Sequence, residues 1–266
     1  MQALTVALIQ DALDWQQPAA NRERFAARIA GLAAPSPTTP IDLVVLPEMF
    51  ASGFTMAAAE VAEPMDGPSV TWMQQQAAEH NLIVTGSLVI EADGRFYNRL
   101  LWVAPDGSVQ CYDKRHLFRM AGEHEVYTAG AALRVFAVKG WAVAPFICYD
   151  LRFPVWSRRR AGAATDYDLA LYTANWPSPR HDAWETLLKA RAMENQCYVV
   201  GVNRVGEDGN GMAYRGGSVA LDFLGREVGG CGEAATSCVV TLSREKLERG
   251  RERFPLWRDA DSFELT

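Results

Sequence analysis

Short apolar runs of strand length recur along this chain with helix-length segments between them, and that alternation restricts the fold to a layered α/β architecture without solenoid repeats. "LTVALIQ" reads as a first strand, and residues 19–33 as an amphipathic helix that ends before "APSPTTP", where three prolines exclude regular structure. "IDLVVLPEMF" is a buried strand running into Pro47 and Glu48. "PSVTWMQQQAAEHN" is a helix opened by Pro68 and Ser69 and closed by Asn81. "LIVTGSLVI", "RFYNRLLWVA" and "SVQCYDK" form hairpins through the turn sequences "EADG" and "PDG". "LRVFAVKGWAVAPFIC" turns at Lys139 and Gly140 and delivers Cys148 at a strand end. Residues 154–163 read as helix and "YDLALYTAN" as strand. In "HDAWETLLKARAMENQ", Ala183, Trp184, Leu187, Leu188, Ala190 and Ala192 make an apolar helical face. "CYVVGVNRVG", "GSVALDFLGREV" and "AATSCVVTLS" complete the strands.

No linker interrupts residues 1–245, so the 266 residues, 49% of them hydrophobic, are read as a single domain. Residues 245–266 form a tail rich in charge and aromatics that begins with a short helix and packs on its own domain or on a partner subunit. A net charge of −6 offers no electrostatic footprint for nucleic acid or an anionic membrane, which favours a small-molecule partner. No apolar run approaches the ~18 residues of a spanning helix, and the N-terminus has no basic n-region, so a soluble cytoplasmic protein is expected. Five cysteines at irregular spacings, without a CxxC pair or a Cys/His cluster, argue against both a disulfide framework and a structural zinc.

Three ionisable residues follow three apolar runs: Glu48 in "VVLPEMF", Lys114 in "CYDKRHLF" and Cys148 in "PFICYDLRFP". Strand ends are where layered α/β folds present functional side chains. Taken singly, each has an ordinary reading, the cysteine as a small buried hydrophobe and the charges as solvated loop residues. Jointly they are a chemically complete nucleophilic set. A carboxylate can take the thiol proton, and an ammonium can stabilise both a thiolate and a developing oxyanion.

In order and spacing, "LPEMF", "YDKRHLF" and "ICYDLRFP" resemble the three signatures of the carbon-nitrogen hydrolase (nitrilase) superfamily, and "LYTANWPSPRHDAWETLLKARAMENQCYVVGVNRVG" is similar to its later strand, helix and strand. Within that superfamily the chain looks most like the omega-amidase branch. The resemblance implies an αββα sandwich of two mixed sheets with helices outside, and a Glu48, Lys114 and Cys148 triad. It also implies at least a homodimer, with part of residues 245–266 at the interface, and a reaction that needs no metal or organic cofactor. It further implies hydrolysis of the terminal amide of short dicarboxylic acid monoamides such as 2-oxoglutaramate.

Within this scheme the backbone N–H of Tyr149 and the Lys114 ammonium form the oxyanion hole. The resemblance also implies an assisting second carboxylate from the loop "FRMAGEHEVYTAG", which offers Glu123 and Glu125; the family's spacing to the glycine, here Gly130, implies Glu123. Arg152, Arg180, Arg204 and Arg215 are the candidates for pairing with a substrate carboxylate, and Tyr172, Asn175 and Trp176 for the pocket wall. Asp150 and Arg152 read as an ion pair that stiffens the turn after Cys148. His116 reads as a brace for the lysine loop. A nitrilase, an N-carbamoyl hydrolase or an acyltransferase would share the triad, and a non-catalytic relative could keep Cys148 for binding or thiol redox sensing.

Overall fold

The computed structural model describes residues 2–33 and 40–265. The proline-rich loop "APSPTTP" lies, but for Pro40, outside the described residues. Strand β1 (Leu4–Gln10) is buried along its whole length. Its period-2 alternation puts Leu4, Val6 and Leu8 on one face and Ala7 and Ile9 on the other, and both faces are covered. β1 pairs in parallel with β2 (Leu43–Val45), and β2 with β3 (Ile83–Ala92). β4 (Arg95–Val103) and β5 (Val109–Asp113) follow as antiparallel neighbours.

The second sheet starts with the hairpin β6 (Phe136–Val138) and β7 (Trp141–Ile147), whose turn holds Lys139 and Gly140 at positive φ. Parallel β8 (Leu169–Ala174) and β9 (Tyr198–Asn203) extend it. A separate two-stranded ribbon, β10 (Val205–Glu207) with β11 (Ala213–Arg215), interrupts the chain before β12 (Ser218–Leu221) and β13 (Glu227–Gly232). The last strand, β14 (Thr236–Leu242), returns to the first sheet beside β1. The two six-stranded orders are β14-β1-β2-β3-β4-β5 and β13-β12-β9-β8-β7-β6.

The inner faces share one core, in which Leu8, Val45 and Trp102 of the first sheet meet the cluster of Phe136, Trp141 and Val143. Helices α1 (Pro18–Ala33) and α3 (Pro68–His80) cover the outer face of the first sheet through Phe25, Ile29, Val70 and Met73. Between them in sequence lies the one-turn helix α2 (Ala58–Val61), and a second one-turn helix, α4 (Glu123–Val126), follows β5. Helix α5 (His181–Asn195) packs on β9, and α6 (Arg244–Arg253) follows β14, before a 3₁₀ turn over Leu256–Asp259. This is the four-layer αββα arrangement. Within the described residues no helix is long and apolar enough to cross a membrane.

Two expectations about the path of the chain differ from the structure. Residues 154–163 form turns and loop, with no helix. Pro154 and positive-φ Gly162 fit an irregular path, and the polar groups between them are spent on the end of α5: Arg158 Nη1 donates to Glu194 O (2.7 Å) and Arg159 N–H to Asn195 Oδ1 (2.9 Å). Asp150 and Arg152 form no pair, for the reason given below. The tail's helix lies on its own body. Leu247 is fully buried, and Arg244 and Arg251 both hold Asp168, at 2.8 and 2.9 Å.

α5 approaches β9 closely enough to need a glycine there. A Cβ at Gly201 would fall 2.6 Å from Leu188 Cδ1 and 2.8 Å from Trp184 Cζ2. Gly201→Ala is therefore expected to cost about 1–3 kcal/mol, measured as a lower urea midpoint at unchanged m-value.

Candidate active site

Because β2, β5, β7 and β8 run in one direction within their sheets, the residues just past their ends gather at one edge of the sandwich. Glu48 follows β2, Lys114 follows β5, Cys148 follows β7 and Asn175 follows β8. Glu48 and Glu123 are fully buried and Lys114 nearly so. The Lys114 ammonium donates to Glu48 Oε1 at 2.9 Å and to both oxygens of Glu123 at 2.9 Å. Of the two loop glutamates, Glu123 is thus in the cluster, while Glu125 is exposed beside His124.

The Cys148 thiol faces this cluster, close enough for the charges of Glu48 and Lys114 to act on it, and its sulfur lies 3.9 Å from Asn175 O. Cys148 takes φ +44°, a left-handed conformation that a non-glycine residue adopts at a cost, and the residues after it form one 3₁₀ turn through Arg152. That turn is braced by Asp150, whose carboxylate accepts from Ile147 N–H (3.0 Å), Tyr112 OH (2.7 Å) and His116 N–H (2.9 Å) and meets His116 Nδ1 at 2.7 Å. With Asp150 turned inward, Arg152 lies on the other side, stacked over the Trp176 ring at 4.9 Å. This is why the expected Asp150–Arg152 pair does not exist. His116 also stacks on Phe153 at 3.8 Å and does not line the cavity, in keeping with a brace.

Electrostatics follow from the burial. Desolvation alone would lower the Lys114 pKa, but Glu123 and Glu48 outweigh it and hold the ammonium well above its ordinary value. Burial raises Glu123 against the opposing pull of Lys114. Burial, then the negative charge of Glu48, pushes the Cys148 thiol well above its ordinary value, with Lys114 opposing. In the resting site the sulfur therefore keeps its proton at neutral pH. Among the described residues no group of His, Cys, Asp and Glu could hold a metal ion.

The cluster forms the floor of a cavity of about 570 Å³ with apolar walls from Trp15, Phe54, Met56, Phe118, Met212 and Tyr214. Tyr149, Asn175 and Trp176 line it, and so do Arg152 and Arg180. Asn175 also holds Glu48: its N–H donates to the carboxylate Oε2 (2.7 Å) and its Nδ2 to the Glu48 backbone carbonyl (2.6 Å). Three expected pocket residues lie elsewhere. Tyr172 sits mid-strand, two residues before the end of β8, and is fully buried against Phe146 at 5.0 Å. Arg204 is buried, donating to the carbonyls of Leu13 and Glu207 with its guanidinium over the Tyr214 ring. Arg215 is at the surface, paired with Glu233 at 2.7 Å.

Sequence reasoning missed Asn98. It is fully buried in β4 and donates to Glu48 Oε1 at 2.8 Å and Glu123 Oε1 at 3.2 Å. The available signal was an asparagine inside the run "RFYNRLLWVA", a residue depleted from strand interiors.

A sandwich of this topology, with a buried Glu, Lys and Cys at one edge, belongs to a known class. A sequence profile of the carbon-nitrogen hydrolase family matches residues 5–252, and the chain belongs to that family. It is 46% identical over 266 residues to the omega-amidase YafV of Escherichia coli K12, covering all of both chains. It is 31% identical over 221 residues to the 2-oxoglutaramate amidase of Bacillus subtilis, covering 82% of this chain and 84% of that one. It superimposes at a TM-score of 0.95 on the crystal structure of a CN-hydrolase superfamily protein from Xanthomonas campestris with an arsenic adduct in its active site, 46% identical over the whole of both chains.

Lys114 is what makes two neighbouring buried carboxylates tolerable. Burial raises Glu123 and Lys114 opposes it, so in Lys114→Met the folded pKa of Glu123 would lie further above its unfolded one, and the penalty at this site is smallest at low pH and grows as pH rises and the carboxyl ionises. Urea titrations should show a loss of about 3–5 kcal/mol at neutral pH, clearly smaller near pH 5.

Proposed function

We propose that this protein is an amidase that hydrolyses the terminal amide of short dicarboxylic acid monoamides, such as 2-oxoglutaramate and succinamate, through a thioester on Cys148. The observation that carries this reading is the pairing of two features in one cavity: a thiol beside a buried Glu48–Lys114–Glu123 cluster, and two guanidiniums on the wall. Among the described residues neither Arg152 nor Arg180 meets a carboxylate; each lies over an aromatic ring, Trp176 at 4.9 Å and Phe118 at 5.3 Å. A substrate with an amide at one end and a carboxylate at the other satisfies both. The names of the relatives, an omega-amidase and a 2-oxoglutaramate amidase, support the same substrate class.

The steps follow from the protonation states. The thiol rests protonated, so Glu48 removes the proton as the sulfur attacks the amide carbon. The carbonyl oxygen becomes an oxyanion, held by the Lys114 ammonium and the Tyr149 N–H. Glu48 passes the proton to the amide nitrogen, the carbon–nitrogen bond breaks and ammonia leaves a thioester on Cys148. Water then attacks that carbon while Glu48 takes one of its protons, and collapse releases the acid and returns the proton to sulfur. Glu123 stays with Lys114 and keeps the ammonium in place. The protein works as at least a homodimer, in which exposed Phe254 and Trp257 of the tail supply apolar contact; a monomer by light scattering at micromolar concentration would reject that assembly.

Ammonia release from 2-oxoglutaramate and succinamate, with a simple nitrile, an N-carbamoyl amino acid and butyramide alongside, tests the reading. Cys148→Ala should retain its fold and less than about one thousandth of the activity. Arg152→Gln and Arg180→Gln should raise KM for the dicarboxylate monoamides by about 10-fold or more while leaving butyramide unaffected. Turnover of the nitrile or the carbamoyl compound alone would move the protein to another activity of the family. No turnover of anything, with the protein folded, would favour a binding or redox role for the thiol.

A further inference from the structure

Among the described residues, Lys114 and Asn98 are the two side chains hydrogen-bonded to both Glu48 and Glu123. Asn98 belongs to a closed circuit. The Met49 N–H, in the peptide that follows Glu48, donates to Ser87 Oγ at 2.8 Å. A backbone amide can only donate, so the serine proton is left for Asn98 Oδ1, 2.8 Å away. That contact pins the carbonyl end of the asparagine and turns its NH₂ toward the carboxylates, one proton for each. The circuit therefore starts beside Glu48 and ends on the Glu48 side chain. The backbone carbonyl of Asn98 also accepts from the Lys114 N–H at 3.0 Å, so this one residue touches all three charged members of the cluster. Ser87, Asn98, Glu48 and Glu123 are all fully buried.

The charge count makes the circuit consequential. Two carboxylates share one ammonium, which leaves a net negative charge in a desolvated site, and such a pair tends to hold a proton between its members. A proton held by Glu48 would remove the base. We propose that Asn98 is a positioning residue for the reaction: by giving one amide proton to each carboxylate it keeps both ionised beside a single lysine, so that Glu48 meets the Cys148 thiol as an empty base. The other titratable groups facing the pair are Lys114 past β5, Tyr127 at the end of α4 and Cys148 past β7, with Tyr214 of β11 facing the thiol. Of these only Lys114 carries positive charge. The backbone N–H groups of Asn175 and Phe118 each serve one carboxylate, Glu48 and Glu123 respectively, so Asn98 is the neutral side chain that donates to both.

The experiment compares wild type with Asn98→Leu, similar in size without donors, and Ser87→Ala, which frees the asparagine amide to turn. Two profiles are recorded between about pH 4.5 and 8: kcat/KM on succinamate, which rests on the amidase reading, and the rate of Cys148 alkylation by iodoacetamide, which does not. Loss of the donors favours the neutral carboxyl, so the acid limb of both profiles should move up by about one pH unit or more in Asn98→Leu. In Ser87→Ala it should move in the same direction by less, and KM should change by less than about 3-fold in both. Acid limbs that superimpose on the wild type within about 0.3 unit, even with lowered rates, would overturn the proposal and leave Asn98 a packing residue. If Asn98→Leu does not fold, the Ser87→Ala profile decides alone. If wild type hydrolyses no monoamide, the amidase reading fails and the alkylation profile still decides the role of Asn98.

Discussion

A single ammonium held between two carboxylates in the dry gap at the sandwich edge is the interaction on which the site depends. Each of its members comes from a different place in the chain: Glu48 past β2, Lys114 past β5, Glu123 in α4. Bringing three charges out of water is unfavourable unless their geometry is enforced from outside. Here the enforcement comes from the sheets. The parallel placement of β2 and the hairpin path into β5 fix the backbones of Glu48 and Lys114, and the Asn175 N–H and side chain, arriving from the other sheet, close on Glu48 from the opposite side. The cluster is therefore also a clasp between the two sheets, so chemistry and fold share the same bonds.

The protonated thiol follows from that clasp. Many reactive cysteines rest as thiolates beside a cation, but here the positive charge nearest Cys148 is already engaged by two carboxylates, and burial does the rest. The left-handed turn at Cys148 and the four contacts of Asp150 hold the sulfur where Glu48 can reach it. In the proposed reaction nucleophile and base act as one unit, with the proton moving between them, and neither is poised alone.

Much of this was legible in the sequence, for physical reasons that can be named. Fully buried strands such as β1 and β8 announce themselves as continuous apolar runs, and ionisable residues directly after such runs stand out because nothing in the core explains them. Glu48, Lys114 and Cys148 stood out as a set and through the family resemblance of their motifs, and the family's spacing to Gly130 favoured Glu123 over Glu125. The failures also share a cause. Tyr172 was a candidate for the pocket wall and Arg204 for the substrate carboxylate, yet which way a side chain points depends on a register of one or two residues. Asp150 and Arg152 are adjacent enough to suggest a pair, but the 3₁₀ turn sends them to opposite sides. Asn98 is a tertiary residue in the full sense: its partners lie far away in the sequence, and no local pattern indicates them. The arginine-rich stretch after Pro154 resembled a helix because its composition suits one, while its hydrogen-bonding groups were needed at the end of α5.

The β10–β11 ribbon belongs to neither sheet. It carries Met212 and Tyr214 to the cavity wall, and Asp208 in its turn organises it locally through the N–H groups of Asn210 and Met212 and the Tyr214 hydroxyl. Its outer wall is thus a self-contained loop of about ten residues, joined to the sandwich chiefly at Asp11 and Ala12, just past β1, and through Arg204. Reactivity is written into the strands and the shape of the entrance into a detachable appendage. An evolving lineage can exchange the second, and with it the compounds admitted, without reopening the question of how the first is built.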